Sequence, residues 1–141
     1  MIKTQIFLPC VALVVLTAIV WIRLYVDRIG EMRARRIRPQ ALASAREVTQ
    51  TLQNLKSADN FRNLFEVPVL FYVLCISLTV TQLVTPLDIW GAWGFVALRA
   101  AHSLIHLTYN RVMHRARVYL ASTVLVLIMW LSFGVRLLSV Q

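Results

Sequence analysis

Apolar residues along this chain run in long blocks separated by shorter polar stretches. Four stretches carry few charges and read as membrane-crossing helices: 5–22, 64–84, 89–109 and 118–138. Each holds 18 to 21 residues, against the ~20 that a helix rising ~1.5 Å per residue needs to cross ~30 Å of hydrocarbon. The pattern predicts an all-α fold: one domain over 1–141 built as a transmembrane four-helix bundle. One long connection (23–63) and two short ones join the spans. Leu24, Tyr25 and Ile29 alternate with Arg23, Asp27, Arg28 and Glu31 in a helical rhythm, so the first helix is expected to run past the membrane surface. Gly30 weakens it and Pro39 ends it. From Gln40 to Lys56, the apolar positions Leu42, Ala45, Val48, Leu52 and Leu55 recur every three or four residues, the mark of a short amphipathic helix. In the third span Gly91, Gly94, Ala97 and Ala101 recur in the same way, giving a small-residue face that lets another helix approach closely. Trp90 and Trp93 suit the outer interface.

Composition agrees with this pattern. The chain is 59% hydrophobic and 15% charged, whereas soluble domains hold about 45–50% and about 25%. That excess argues against a soluble enzyme, a disordered chain and a secreted disulfide framework. No A-x-A-like cleavage site follows the first span, which ends in Trp21-Ile22-Arg23, so it reads as a retained anchor. Cys10 and Cys75 fall inside spans with no metal-ligand spacing and read as buried apolar fillers.

Charge orients the bundle. Lys and Arg outnumber Asp and Glu by 15 to 6. Nine basic residues lie between Arg23 and Arg62, and Arg111, Arg115 and Arg117 lie between the third and fourth spans. The turn around Thr85-Pro86-Leu87-Asp88 has none, Lys3 stands alone near one terminus, and Arg136 near the other. The positive-inside rule places both basic connections in the cytoplasm and both termini on the non-cytoplasmic side. The same rule accounts for the basic balance, so no nucleic-acid partner is expected.

Polar residues inside spans carry the chemical information, because a charge near the bilayer centre is costly unless paired or hydrated. Asn63 and Glu66 open span two, three residues apart and so on one helix face, with Pro68 where its missing N–H costs little. Arg99, His102 and His106 share a face of span three, and Arg115 and Tyr119 open span four. At ~1.5 Å per residue, Glu66 and His106 lie ~5 Å inside the cytoplasmic end of their spans, His102 ~10 Å and Arg99 ~15 Å. Three helices therefore direct polar faces to the same half of the membrane. The cluster is cationic on balance and suits an anionic or zwitterionic ligand. Plainer roles exist for each member. Glu66 and Arg99 could form a structural ion pair, Arg115 could be a positive-inside anchor, and Tyr119 an interfacial aromatic. His102 and His106 have metal-ligand spacing but no third ligand, so no metal is assigned.

Asn63-x-x-Glu66-x-Pro68, Arg99-x-x-His102-x-x-x-His106 and Arg115-x-x-x-Tyr119 together resemble the MAPEG family, membrane-associated proteins in eicosanoid and glutathione metabolism. The resemblance covers nearly the whole chain, and the wording from Asp59 to Pro68 looks most like a prokaryotic branch. It implies a multi-pass protein of the cell inner membrane, if the source is prokaryotic, and a homotrimer binding glutathione between subunits. By that resemblance Arg62, Asn63, Glu66, Arg99, His102, His106 and Tyr119 hold the tripeptide, with Glu66 meeting its amino group. Arg115 is the catalytic residue, because a cation beside a thiol favours the nucleophilic thiolate. A lipophilic substrate would enter from the lipid bilayer through apolar grooves. The chain departs from the family in having His106 where tyrosine is frequent, and Asp59 and Phe61 where several glutathione-using relatives carry arginines. Two functions follow. One is a glutathione-dependent transferase or peroxidase acting on lipophilic electrophiles. The alternative is a non-catalytic lipid-binding or assembly subunit of the same fold.

Overall fold

The computed structural model describes residues 2–139, and among these every regular element is helical. The helices are α1 (Ile2–Gln5), α2 (Phe7–Ala34), α3 (Ala45–Thr51), α4 (Lys56–Asn63), α5 (Val67–Val80), α6 (Pro86–Leu107) and α7 (Val112–Ser139). Three stretches are long and apolar enough to cross a membrane: Phe7–Ala34, Lys56–Val80 and Val112–Ser139. The third of the four expected spans corresponds to α6, whose 22 residues include Asp88, Arg99, His102 and His106.

The apolar blocks became helices, and their interruptions follow from local geometry. Pro9 lies in the first turn of α2, where its ring would clash with the carbonyl of Gln5, so α1 and α2 separate at Ile6 and do not form one span from residue 5. Helix α2 stops at Ala34, before Pro39. Arg36 takes a left-handed conformation (φ 53°) and the Ile37 N–H donates to the Met32 carbonyl at 2.9 Å, a closing turn that more often uses glycine. The connection that follows is anchored by Glu31, whose carboxylate accepts the backbone N–H groups of Gln53 (2.7 Å) and Asn54 (3.1 Å) and an Arg35 N–H (2.6 Å).

The amphipathic helix expected over 40–56 is broken into a 3-10 turn, Pro39–Leu42, and α3. Ser44 restarts the chain with a capping box: its hydroxyl accepts from the Glu47 N–H while the Glu47 carboxylate accepts from the Ser44 N–H. Span two is likewise interrupted. Helix α4 ends at Asn63, a turn occupies Leu64–Glu66, and α5 begins with Pro68 in its first turn. The left-handed Gln82 (φ 60°) and the Leu83 N–H on the Leu78 carbonyl close α5 short of residue 84.

The core gathers Leu13 of α2, Phe71, Leu74 and Leu78 of α5, Phe95 of α6 and Val126 of α7, all fully buried. The Phe71 and Phe95 rings stack at 4.6 Å. Helices α6 and α7 pack most extensively, and the small-residue face is used there. A Cβ on Gly91 would meet Met129 Sδ at 3.0 Å, and one on Gly94 would meet Leu125 Cδ2 at 3.4 Å. That close approach lies within one chain. At the far end of the same pair Thr85 and Asp88 form a capping box, and Arg136 of α7 donates to both Asp88 carboxylate oxygens and to the Leu83 carbonyl, each at 2.8 Å. The opposite end of the bundle carries the polar cluster.

Candidate functional site

Seven of the eight residues singled out by sequence line one open recess of about 420 Å³: Arg62, Asn63, Glu66, His102, His106, Arg115 and Tyr119. Asp59, Val112 and Ala116 complete its lining. Its size falls in the range of roughly 300–1,000 Å³ that holds small molecules. The floor comes from α6, one wall from α4 and the turn before α5, and the other wall from the first two turns of α7. Asn63 and Glu66 do not share a helix face, since α4 ends between them, yet the turn at 64–66 returns both to the recess.

His102, on the floor, links the two walls. Its Nδ1–H donates to the Arg115 carbonyl at 3.1 Å, which leaves Nε2 to accept from the Asn63 amide at 3.4 Å. Arg115 is held by its Nη1, which donates to His106 Nε2 at 3.0 Å and to Asn110 Oδ1 at 2.9 Å. Among the described residues its Nη2 and Nε make no hydrogen bond, so the two remaining faces of the fork are available to a ligand. Asn110 is itself left-handed (φ 48°), a conformation that asparagine tolerates, and it closes α6 by donating to the Ile105 carbonyl.

Arg99 is the exception. It is fully buried and does not reach the recess. Its Nη2 donates to the Asn63 carbonyl at 2.5 Å, and its guanidinium lies 5.2 Å from the centre of the Tyr119 ring. The Glu66–Arg99 ion pair considered from sequence does not form. Glu66 Oε2 accepts instead from the Tyr119 hydroxyl at 2.9 Å, and no pair between Glu66 and Arg99 lies within ion-pair distance among the described residues.

Sequence reasoning missed the layer beneath. Asn60 and Ser103 are both buried, and the Ser103 hydroxyl donates to Asn60 Oδ1 at 3.2 Å, joining α4 to α6. Asn60 lies three residues before Asn63 and Ser103 four after Arg99, so helical spacing from those residues was the available signal. Asp59 also changes the electrostatics. Arg62 and Arg115 line the recess together with Asp59 and Glu66, two charges of each sign, with Arg99 behind the wall. The lining therefore complements a zwitterion better than a simple anion. The two histidine rings are 5.7 Å apart, each with Nε2 already in a hydrogen bond.

The sequence model of the MAPEG family matches residues 6–135, almost the full chain. No curated protein and no solved structure matches it.

Proposed function

The chain belongs to the MAPEG family, and from that premise we propose that it is a membrane glutathione transferase or peroxidase acting on lipophilic electrophiles. Its family and its three long apolar helices make it an integral membrane protein. The reading goes further, to four spans with α6 as the third, both termini on the non-cytoplasmic side, and a homotrimer of the prokaryotic branch in the inner membrane. The observation that carries it is the half-satisfied Arg115 at the wall of a recess whose charges balance as a zwitterion.

Glutathione fits that lining. Its ammonium belongs at Glu66, one carboxylate at Arg62 and its amides at Asn63, whose side chain His102 orients, while Tyr119 forms a wall between the recess and Arg99. The free side of the Arg115 fork would face the sulfur. A guanidinium held in a water-poor site favours the thiolate over the thiol and keeps its own charge. The thiolate then attacks an electrophilic carbon, forming an S–C bond as the leaving group departs with its electron pair, and the thiol proton passes to water. With a hydroperoxide, two glutathiones become one disulfide while the O–O bond is reduced to alcohol and water.

An apolar groove of about 480 Å³ lies on the other side of the α4–α5 turn, between Trp21 of α2 and Phe61, Leu64, Phe65 and Tyr72. It favours the second reading, a lipid-binding subunit without chemistry, and serves equally as an entry for lipophilic substrate. Heat denaturation in detergent separates the two readings. Glutathione at 100 times its Kd should stabilise the protein by ~2.7 kcal/mol, and bound glutathione should show thiolate absorbance at pH 7 and react with a chloro-dinitrobenzene-type electrophile. Binding without thiolate or turnover favours the lipid-binding subunit, and no binding removes the glutathione reading. Native mass spectrometry should find three copies, and a monomer would count against the assembly.

A further inference from the structure

We propose that Tyr119 is a gate between the recess and Arg99, latched by its hydroxyl on Glu66 and opened by the ammonium of the incoming ligand. The proposal rests on the glutathione reading and adds to it how the ligand's amino-acid end is recognised.

Arg99 is fully buried, and its Nε and Nη1 reach no acceptor. A buried guanidinium with two idle donors and, among the described residues, no carboxylate within ion-pair distance is an unfinished anion site. The Tyr119 ring separates it from the recess: Tyr119 and Glu66 line the cavity, Arg99 does not, and the guanidinium lies 5.2 Å from the ring centre. One hydrogen bond at 2.9 Å, from the ring's hydroxyl to an exposed carboxylate, latches that position. The backbone of Tyr119 is fixed, because Ser122 and Thr123 both donate their hydroxyls to its carbonyl, at 2.7 and 3.0 Å. Movement is therefore confined to the side chain.

An ammonium arriving at Glu66 competes directly with the tyrosine hydroxyl and, being charged, displaces it. The freed ring turns aside, and the Nε and Nη1 donors of Arg99 open to an anion a few ångströms from Glu66. A ligand that uses both groups carries an ammonium and a carboxylate close together, as at the α-carbon of a free amino acid. The gate thus selects a thiol peptide with an unblocked amino-acid end.

The test is stopped-flow glutathione binding to the detergent-solubilised wild type and to Tyr119→Phe, which keeps the ring and removes the latch. The gate predicts about tenfold faster association and tighter binding by the variant, the reverse of what losing a ligand contact does. In the wild type the observed rate should level off at high glutathione as opening becomes limiting, a readout that needs no variant. Slower, weaker or unchanged binding by Tyr119→Phe, or a wild-type rate that rises linearly throughout, overturns the gate and leaves the glutathione reading standing. No binding by either protein overturns both.

Discussion

Arg115 and His106 meet at the edge of the recess, with Nη1 of the arginine 3.0 Å from Nε2 of the ring. The arginine can only donate, so the ring must present a lone pair at Nε2. His106 is nearly inaccessible to solvent and is held on the face of α6 that meets α7. It therefore fixes where the first turn of α7 places its cation. Asn110 accepts from the same nitrogen at 2.9 Å, and the two bonds set the plane of the guanidinium while leaving its other nitrogens free.

Arg115→Ala should abolish the thiolate absorbance and turnover while leaving much of the glutathione affinity, because under the proposed function Arg62, Asn63 and Glu66 hold other parts of the peptide. A free thiol of pKa about 8.5 is mostly protonated at pH 7, and one unit of depression is worth ~1.4 kcal/mol, within reach of a single close charge. Lysine at this position should restore only part of the rate, since a flexible point charge lacks the fork. Equal loss of binding and rate would make Arg115 a binding anchor.

His106→Phe keeps a ring on α6 and removes the acceptor. Arg115 then retains its charge but loses one of two tethers, so kcat should fall by about tenfold, the scale of one charge-assisted hydrogen bond, with KM for glutathione little changed. Measuring kcat and KM separately decides this: a rise in KM alone would give His106 a ligand contact and no positioning role.

Arg136 and Asp88 hold the other end of the α6–α7 pair. The Asp88 side chain is 5% exposed and that of Arg136 22%, and both carboxylate oxygens are engaged. Arg136→Met should cost about 3 kcal/mol by leaving a buried carboxylate unpaired. The paired change, Arg136→Met with Asp88→Ser, should recover part of that loss by removing the stranded charge while keeping a side-chain cap. Thermal midpoints of the two variants in one detergent test the order.

How much of this was legible in the sequence depends on range. Helices α2 and α7 follow from stretches poor in charge, and their apolar surfaces stay exposed at Val11, Val14, Ile19, Leu127, Ile128 and Leu131, as lipid-facing positions would. The interruptions were less visible. Pro9 splits the first helix and the 64–66 turn divides α4 from α5, because backbone clashes and caps act on one or two residues inside an otherwise helical pattern. Six residues of the recess were readable from helical spacing plus depth, Arg62 only from the family resemblance, and Arg99, which the spacing added, lies behind the wall. Partners distant in sequence were not: Asp88 with Arg136, Asn60 with Ser103, and Tyr119 with Glu66 meet only after the helices pack.

Glycine substitutions test the packing of α6 on α7. Gly91→Val places branched carbons where a single Cβ would already lie 3.0 Å from Met129 Sδ. Methionine yields in part, so the cost should be about 1–3 kcal/mol. Gly30→Ala is the control: nothing lies within 4 Å of a Cβ there, and replacing glycine inside α2 should stabilise by up to about 1 kcal/mol. A Gly91→Val protein as stable as wild type would show that the close approach is not required.

Glu66→Gln separates ligand recognition from fold maintenance. The Glu66 carboxylate is exposed and its hydrogen-bond partner is the Tyr119 hydroxyl. A glutamine carbonyl can accept the same bond, so the ligand-free protein should unfold within a few degrees of wild type, as expected for a surface change worth under about 0.5 kcal/mol. Glutathione binding should behave differently, because under the proposed function the ammonium would lose a charged partner for a neutral one. Affinity should fall by about 10- to 100-fold, the span of one charge-assisted hydrogen bond in a partly water-excluded site. The added thermal shift at fixed glutathione should shrink accordingly. A lower midpoint without ligand, with the glutathione shift retained, would assign Glu66 to the fold and move the ammonium's partner to Asp59, the other carboxylate lining the recess.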